Sequence, residues 1–148
     1  MIRFTNSIDI AADSRSVFDY LVDLEHVPEW NWAIDSTEKL TPGPVRVGTR
    51  YRQVRSVPRP GVENLEITSL DPGRRLELAG VLGPFPGRLS YEIESIPGGT
   101  RLTNDVELDP PIPLGPVGDV LGRRVRGSVA DNLAVLKDLL EGRAETRA

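Results

Sequence analysis

Ile2, Phe4, Asn6, Ile8 and Ile10 alternate with Arg3, Thr5, Ser7 and Asp9, the period-two pattern of a strand with one covered face, predicting a first strand over residues 2 to 10. Asp13 then offers a helix N-cap, and Val17, Phe18, Leu21 and Leu24 recur at helical spacing, predicting a short helix of about two and a half turns. Pro28 sits either in the first turn of a second short helix or inside a turn. Beyond Ala33 the chain is broken repeatedly by turn compositions: Thr41-Pro42-Gly43-Pro44, Pro58-Arg59-Pro60-Gly61, Asp71-Pro72-Gly73, Gly83-Pro84-Phe85-Pro86-Gly87 and Pro97-Gly98-Gly99. Between these breaks lie six further strands, near residues 34–40, 49–57, 62–70, 74–81, 87–96 and 100–108, joined by links short enough for an antiparallel meander.

Pro110-Pro111-Ile112-Pro113 ends the strand series, and one long helix is predicted over residues 115–141. Its apolar stripe is Val117, Leu121, Val125, Val129, Leu133, Leu136 and Leu140, along a rod about 40 Å in length. Gly122 and Gly127 interrupt the first half, each costing about 1 kcal/mol relative to Ala, which implies close packing or a loose segment. Residues 143–148 read as a frayed tail beyond a single domain over 1–142. A twisted seven-stranded antiparallel sheet that curls around this helix is an α+β architecture with room between its two layers.

Composition narrows the function classes. The net charge of −4 argues against a phosphate-backbone partner, so no nucleic acid is expected. The chain has no cysteine, which removes disulfides, thiolate metal sites and a cysteine nucleophile. It shows neither an apolar run of membrane-spanning length nor a basic-then-apolar leader, so a cytoplasmic protein without a membrane span is expected. His26 is the only histidine, and Asp23 and Glu25 beside it lack a ligand spacing, so no metal and no cofactor are expected. His26 is either a surface residue near a helix end or a general base at a cavity mouth. The charge pattern permits self-association as a homodimer through strand one or an exposed Trp.

Several separated segments carry a resemblance. Ile8-Asp9-Ile10-Ala11-Ala12 leading into Val17-Phe18-Asp19-Tyr20-Leu21-Val22-Asp23 and Pro28-Glu29-Trp30 is one. Val47-Gly48-Thr49-Arg50-Tyr51-Arg52-Gln53, Gly98-Gly99-Thr100-Arg101-Leu102-Thr103 and Asn132-Leu133-Ala134-Val135-Leu136-Lys137 are the others. Together they resemble the polyketide cyclase/dehydrase and lipid-transport family of the START-like, SRPBCC helix-grip superfamily. The resemblance implies two short helices after strand one, a sheet gripping the terminal helix, and a cavity for an apolar molecule. It also implies that Trp30 packs beside that cavity, while Trp32 stays ambiguous.

Taking the apolar member of each alternating pair as inward places Tyr51, Gln53, Arg55, Glu63, Leu65, Leu78, Leu89, Tyr91 and Asn104 on the inner wall. The helix adds Val117, Leu121 and Val125, with Arg124 or Ser128 at the borders, and Phe85 is either a movable cover or a plain plug. The inward polar groups need partners: Arg55 and Glu63 either pair across neighbouring strands or fix the polar end of a ligand. The expected function is binding of a hydrophobic polyketide-, lipid- or isoprenoid-like molecule. The alternative is a cyclase or dehydratase, with Arg55 stabilising an enolate and Glu63, Tyr51 or Tyr91 moving a proton.

Overall fold

The structure, a computed structural model, describes residues 1–83 and 85–147. Strand β1 (Ile2–Ile10) leads to helix α1 (Ser14–Val22), whose first turn is closed by the Asp13 carboxylate accepting from the Ser16 amide at 3.1 Å. A short 3₁₀ turn, Leu24–Glu29, contains Pro28 and ends at Trp30. The meander follows as β2 (Ile34–Lys39), β3 (Arg50–Arg55), β4 (Gly61–Asp71), β5 (Arg75–Leu82), β6 (Phe85–Ile96) and β7 (Gly99–Leu108), and helix α2 (Pro116–Arg147) closes the chain.

The seven strands form one antiparallel sheet in the order β1-β7-β6-β5-β4-β3-β2, so the first strand pairs with the last and β1 and β2 are the two edges. Curling requires the strands to crease. Gly80 and Gly87 face each other across β5 and β6, and a Cβ at either would lie about 2 Å from a neighbouring strand's carbonyl, 2.1 Å from Asn64 O and 2.2 Å from Glu107 O. Only glycine permits that approach.

Alternation sorts the two faces as expected. Ile67, Leu76, Leu78, Ile93, Leu102 and Val106 are buried inward, while the outer face carries an ion-pair ladder linking Arg3, Glu107, Arg88, Glu77, Arg75 and Glu92. Arg50 likewise pairs with Glu66 at 3.1 Å on the outer face of β3 and β4. These are surface pairs, each worth at most about 1 kcal/mol.

Two expectations are corrected. Helix α2 does not end near residue 141 but runs on to Arg147, and Ala148 lies outside the described residues. Strand β6 begins at Phe85 rather than Gly87, because Phe85 pairs with Leu82 and Pro86 with Val81, extending the hairpin into the supposed link. Pro84 also lies outside the described residues.

Candidate functional site

The interior facing α2 is built from positions of one parity on each strand. Tyr51, Leu65, Leu78, Tyr91 and Asn104 are all buried there, and Trp30 is buried in the same core at 6% exposure. Leu89, Phe85, Leu121 and Val125 are half-buried and pack against that core from its margin. Val117 does not join them: it is 67% exposed, and Arg124 and Ser128 are exposed as well. Helical periodicity places Val117 on the stripe, but Leu114, Gly118 and Gly122 take the positions that face β1, which leaves Val117 turned outward.

At the β3–β4 end the polar residues satisfy one another. Arg55 donates to both oxygens of Glu63, from Nε at 2.7 Å and from Nη2 at 3.1 Å. Gln53 Nε2 donates to the same carboxylate at 2.8 Å, and so does the Gly83 amide at 2.8 Å. Register explains the cluster: Gln53 stands opposite Glu63, and Arg55 opposite Gly61, which leaves the guanidinium room to turn. Of the two roles open to Arg55 and Glu63, the geometry supports mutual pairing. The parts that sequence reasoning could not reach are the Gly83 amide, supplied by a neighbouring hairpin, and Gln53 as a third donor.

Elsewhere the inner face holds polar atoms without partners. The Tyr51 hydroxyl and Asn104 Oδ1 are fully buried and make no hydrogen bond, as are Thr37 Oγ1 on β2 and Asn132 Oδ1 on α2. Burial, reinforced by the Asp23 and Glu25 carboxylates, pushes the Tyr51 hydroxyl up to about 12, so it stays protonated at neutral pH. Burial alone raises Tyr91. Asn132 and Thr37 are absent from the sequence-derived wall. Asn132 had a legible signal, an amide beside Leu133 on an otherwise apolar stripe.

His26 sits in the 3₁₀ turn, not at the wall. Its ring stacks on Tyr20 at 4.2 Å between centroids, and Nδ1 lies 3.0 Å from the Tyr20 carbonyl. Tyr20 donates to Glu29 at 3.0 Å, and Arg143 of α2 lies over its ring. This cluster fastens the far end of α2 to the 3₁₀ turn, and nothing in the spacing of Tyr20, His26, Glu29 and Arg143 announced it. Trp32 is 62% exposed.

Two depressions are seen beside this buried wall. One, of about 460 Å³, lies between the start of β1 and the first turns of α2, lined by Ile2, Phe4, Leu114 and Arg123 among others. Another, of about 430 Å³, lies on the outer sheet face around Glu77 and Arg88. Helix α2 meets the sheet chiefly at β1.

A curled antiparallel sheet closed around a C-terminal helix, with an apolar inner face, defines a START-like helix-grip protein. The chain belongs to the polyketide cyclase/dehydrase and lipid transport family, whose model matches residues 1–141. Among solved structures, a START superfamily protein from Mycobacterium smegmatis is similar over 99% of both chains, with TM-score 0.69 and 19% identity. The di-domain ARO/CYC StfQ from the steffimycin biosynthetic pathway is similar with TM-score 0.78 and 14% identity, over 97% of this chain and 52% of that one. A Thermus thermophilus protein shares 21% identity at TM-score 0.68 over 99% of each chain. At these identities the likeness carries the fold alone. No curated protein sequence matches the chain. Among the described residues, no helix is long and apolar enough to cross a membrane.

Proposed function

We propose that the chain binds a hydrophobic small molecule, of polyketide, lipid or isoprenoid type, between the inner sheet face and the first half of α2. The observation that carries this reading is the set of unpartnered polar atoms, Tyr51 Oη and Asn104 Oδ1 foremost, among aliphatic side chains. An unsatisfied buried polar atom costs about 1–3 kcal/mol, and a ligand that supplies its partner recovers part of that cost. The half-buried Phe85, Leu89, Leu121 and Val125 provide an apolar margin where such a molecule enters. Family membership and fold support the same reading.

The binding role is favoured over proton-transfer catalysis because Glu63 accepts four hydrogen bonds and has no lone pair turned toward a substrate. Arg55 is likewise committed to that carboxylate.

Native mass spectrometry of the purified protein tests the reading, with tryptophan fluorescence titration against long-chain alcohols, isoprenoid alcohols and aromatic polyketides as its second arm. The expected result is a copurified or added apolar molecule at one per chain, with a saturable change in the emission of Trp30, which packs in this core. A ligand-free mass together with flat titrations across that panel contradicts it.

A further inference from the structure

We propose that the molecule held against the inner face is uncharged and donates a hydroxyl or N–H hydrogen to the Asn104 side-chain oxygen, so that alcohols and hydroxylated ring systems are taken and carboxylates refused. This rests on the ligand-binding reading above. The polarity of the Asn104 amide is fixed by its other half: Nδ2 donates to the Ser90 carbonyl at 3.1 Å. Turning the amide over would set two oxygens against each other at that distance, so Oδ1 is the free atom, and it is an acceptor. It is buried on a residue only 1% exposed and has no partner. The neighbouring amide is directed elsewhere: Asn6, opposite Asn104 on β1, donates from Nδ2 to the Arg126 carbonyl of α2 at 3.2 Å. A carboxylate or ketone offers this site no hydrogen.

Charge points the same way. Among the described residues, the cations on inner-face positions of the sheet are Arg55 and, at the rim of β2, Lys39. Arg55 is matched by Glu63 at 2.7 Å, and Lys39 donates to the Gly43 carbonyl. The second unpartnered group, the Tyr51 hydroxyl, lies in the field of Asp23 and Glu25. Neither atom has a cationic side chain within hydrogen-bond reach, and an unpaired charge is far costlier to bury than an unpaired hydroxyl.

A matched pair of probes tests this: 1-dodecanol and dodecanoate, compared by tryptophan fluorescence and native mass spectrometry at about pH 8, where the acid is ionised. The alcohol is expected to bind at least about tenfold more tightly. Asn104→Leu, with folding checked by circular dichroism, is expected to weaken alcohol binding roughly three- to tenfold, the worth of one hydrogen bond. Where Asn104→Leu fails to fold, 1-methoxydodecane serves as the second probe on the wild-type protein: lacking the hydroxyl hydrogen, it should bind roughly three- to tenfold more weakly than 1-dodecanol, and equal binding overturns the proposal. Equal or tighter binding of dodecanoate overturns the proposal while leaving the cavity reading intact. Unchanged alcohol affinity in a folded Asn104→Leu protein also overturns it. Absence of binding by both probes contradicts the cavity reading itself.

Discussion

The two halves of α2 belong to one continuous helix, yet they are held in different ways. In the second half, Leu133, Leu136 and Leu140 are at most 3% exposed. Lys137 donates to the Asp9 carbonyl at 2.8 Å, Glu141 accepts from the Ala11 amide at 2.8 Å, and Arg143 covers Tyr20. In the first half, Val117 and Val120 are 67% and 56% exposed, and Leu121, Val125 and Val129 are only half-buried. Gly118, Gly122 and Gly127 weaken helix propensity there. One side-chain bond to the sheet is seen in that half, from Asn6 to the Arg126 carbonyl. The difference teaches that a single helix serves as anchor at one end and as cover at the other, because local stability follows packing rather than secondary structure.

The comparison is broken most severely at the anchor. Leu136→Ala is expected to cost about 2–5 kcal/mol in urea unfolding, whereas Val125→Ala in the cover should cost less than about 1.5 kcal/mol. Equal costs would remove the distinction. Next comes the clamp at Ala11. The amide of Ala11 and then Lys137 hold the Glu141 carboxyl below its ordinary value of 4.5. Because the folded state lowers that pKa, the carboxylate's contribution is present above about 4.5 and fades as the pH falls toward the depressed value. Thermal melts between neutral pH and about pH 3 should show wild type losing more stability than Glu141→Gln, which starts about 1 kcal/mol lower.

Gly127→Ala acts in the opposite direction. A Cβ there meets nothing within 4 Å, so the variant should gain about 0.4–1 kcal/mol and, by stiffening the cover, slow ligand association. Stopped-flow fluorescence reads the second effect, and an unchanged rate argues against a moving cover. Val117→Ser should be the mildest, within about 0.5 kcal/mol of wild type.

Much of this was legible from residue order. Every strand was, since turn compositions bracket each run and alternation assigns its inner face, as Leu102, Asn104 and Val106 show. The Arg55–Glu63 pair was legible as one of two options, because the side-chain types fix complementarity whereas register decides contact. Three features were not. The exposure of Val117 follows from Leu114, Gly118 and Gly122 taking the positions against β1, which the apolar stripe along α2 does not encode. The Gly83 amide reaches Glu63 only through the folding of another hairpin. Tyr20, His26, Glu29 and Arg143 meet because two distant segments are brought to one end of α2.

Amide hydrogen exchange resolved along α2, with and without saturating 1-dodecanol, tests the central claim most directly. The account predicts fast exchange over residues 117–129 that slows when the alcohol is bound, beside slow exchange over residues 132–142 that hardly changes. Uniform protection of both halves, unaltered by the alcohol, would contradict it.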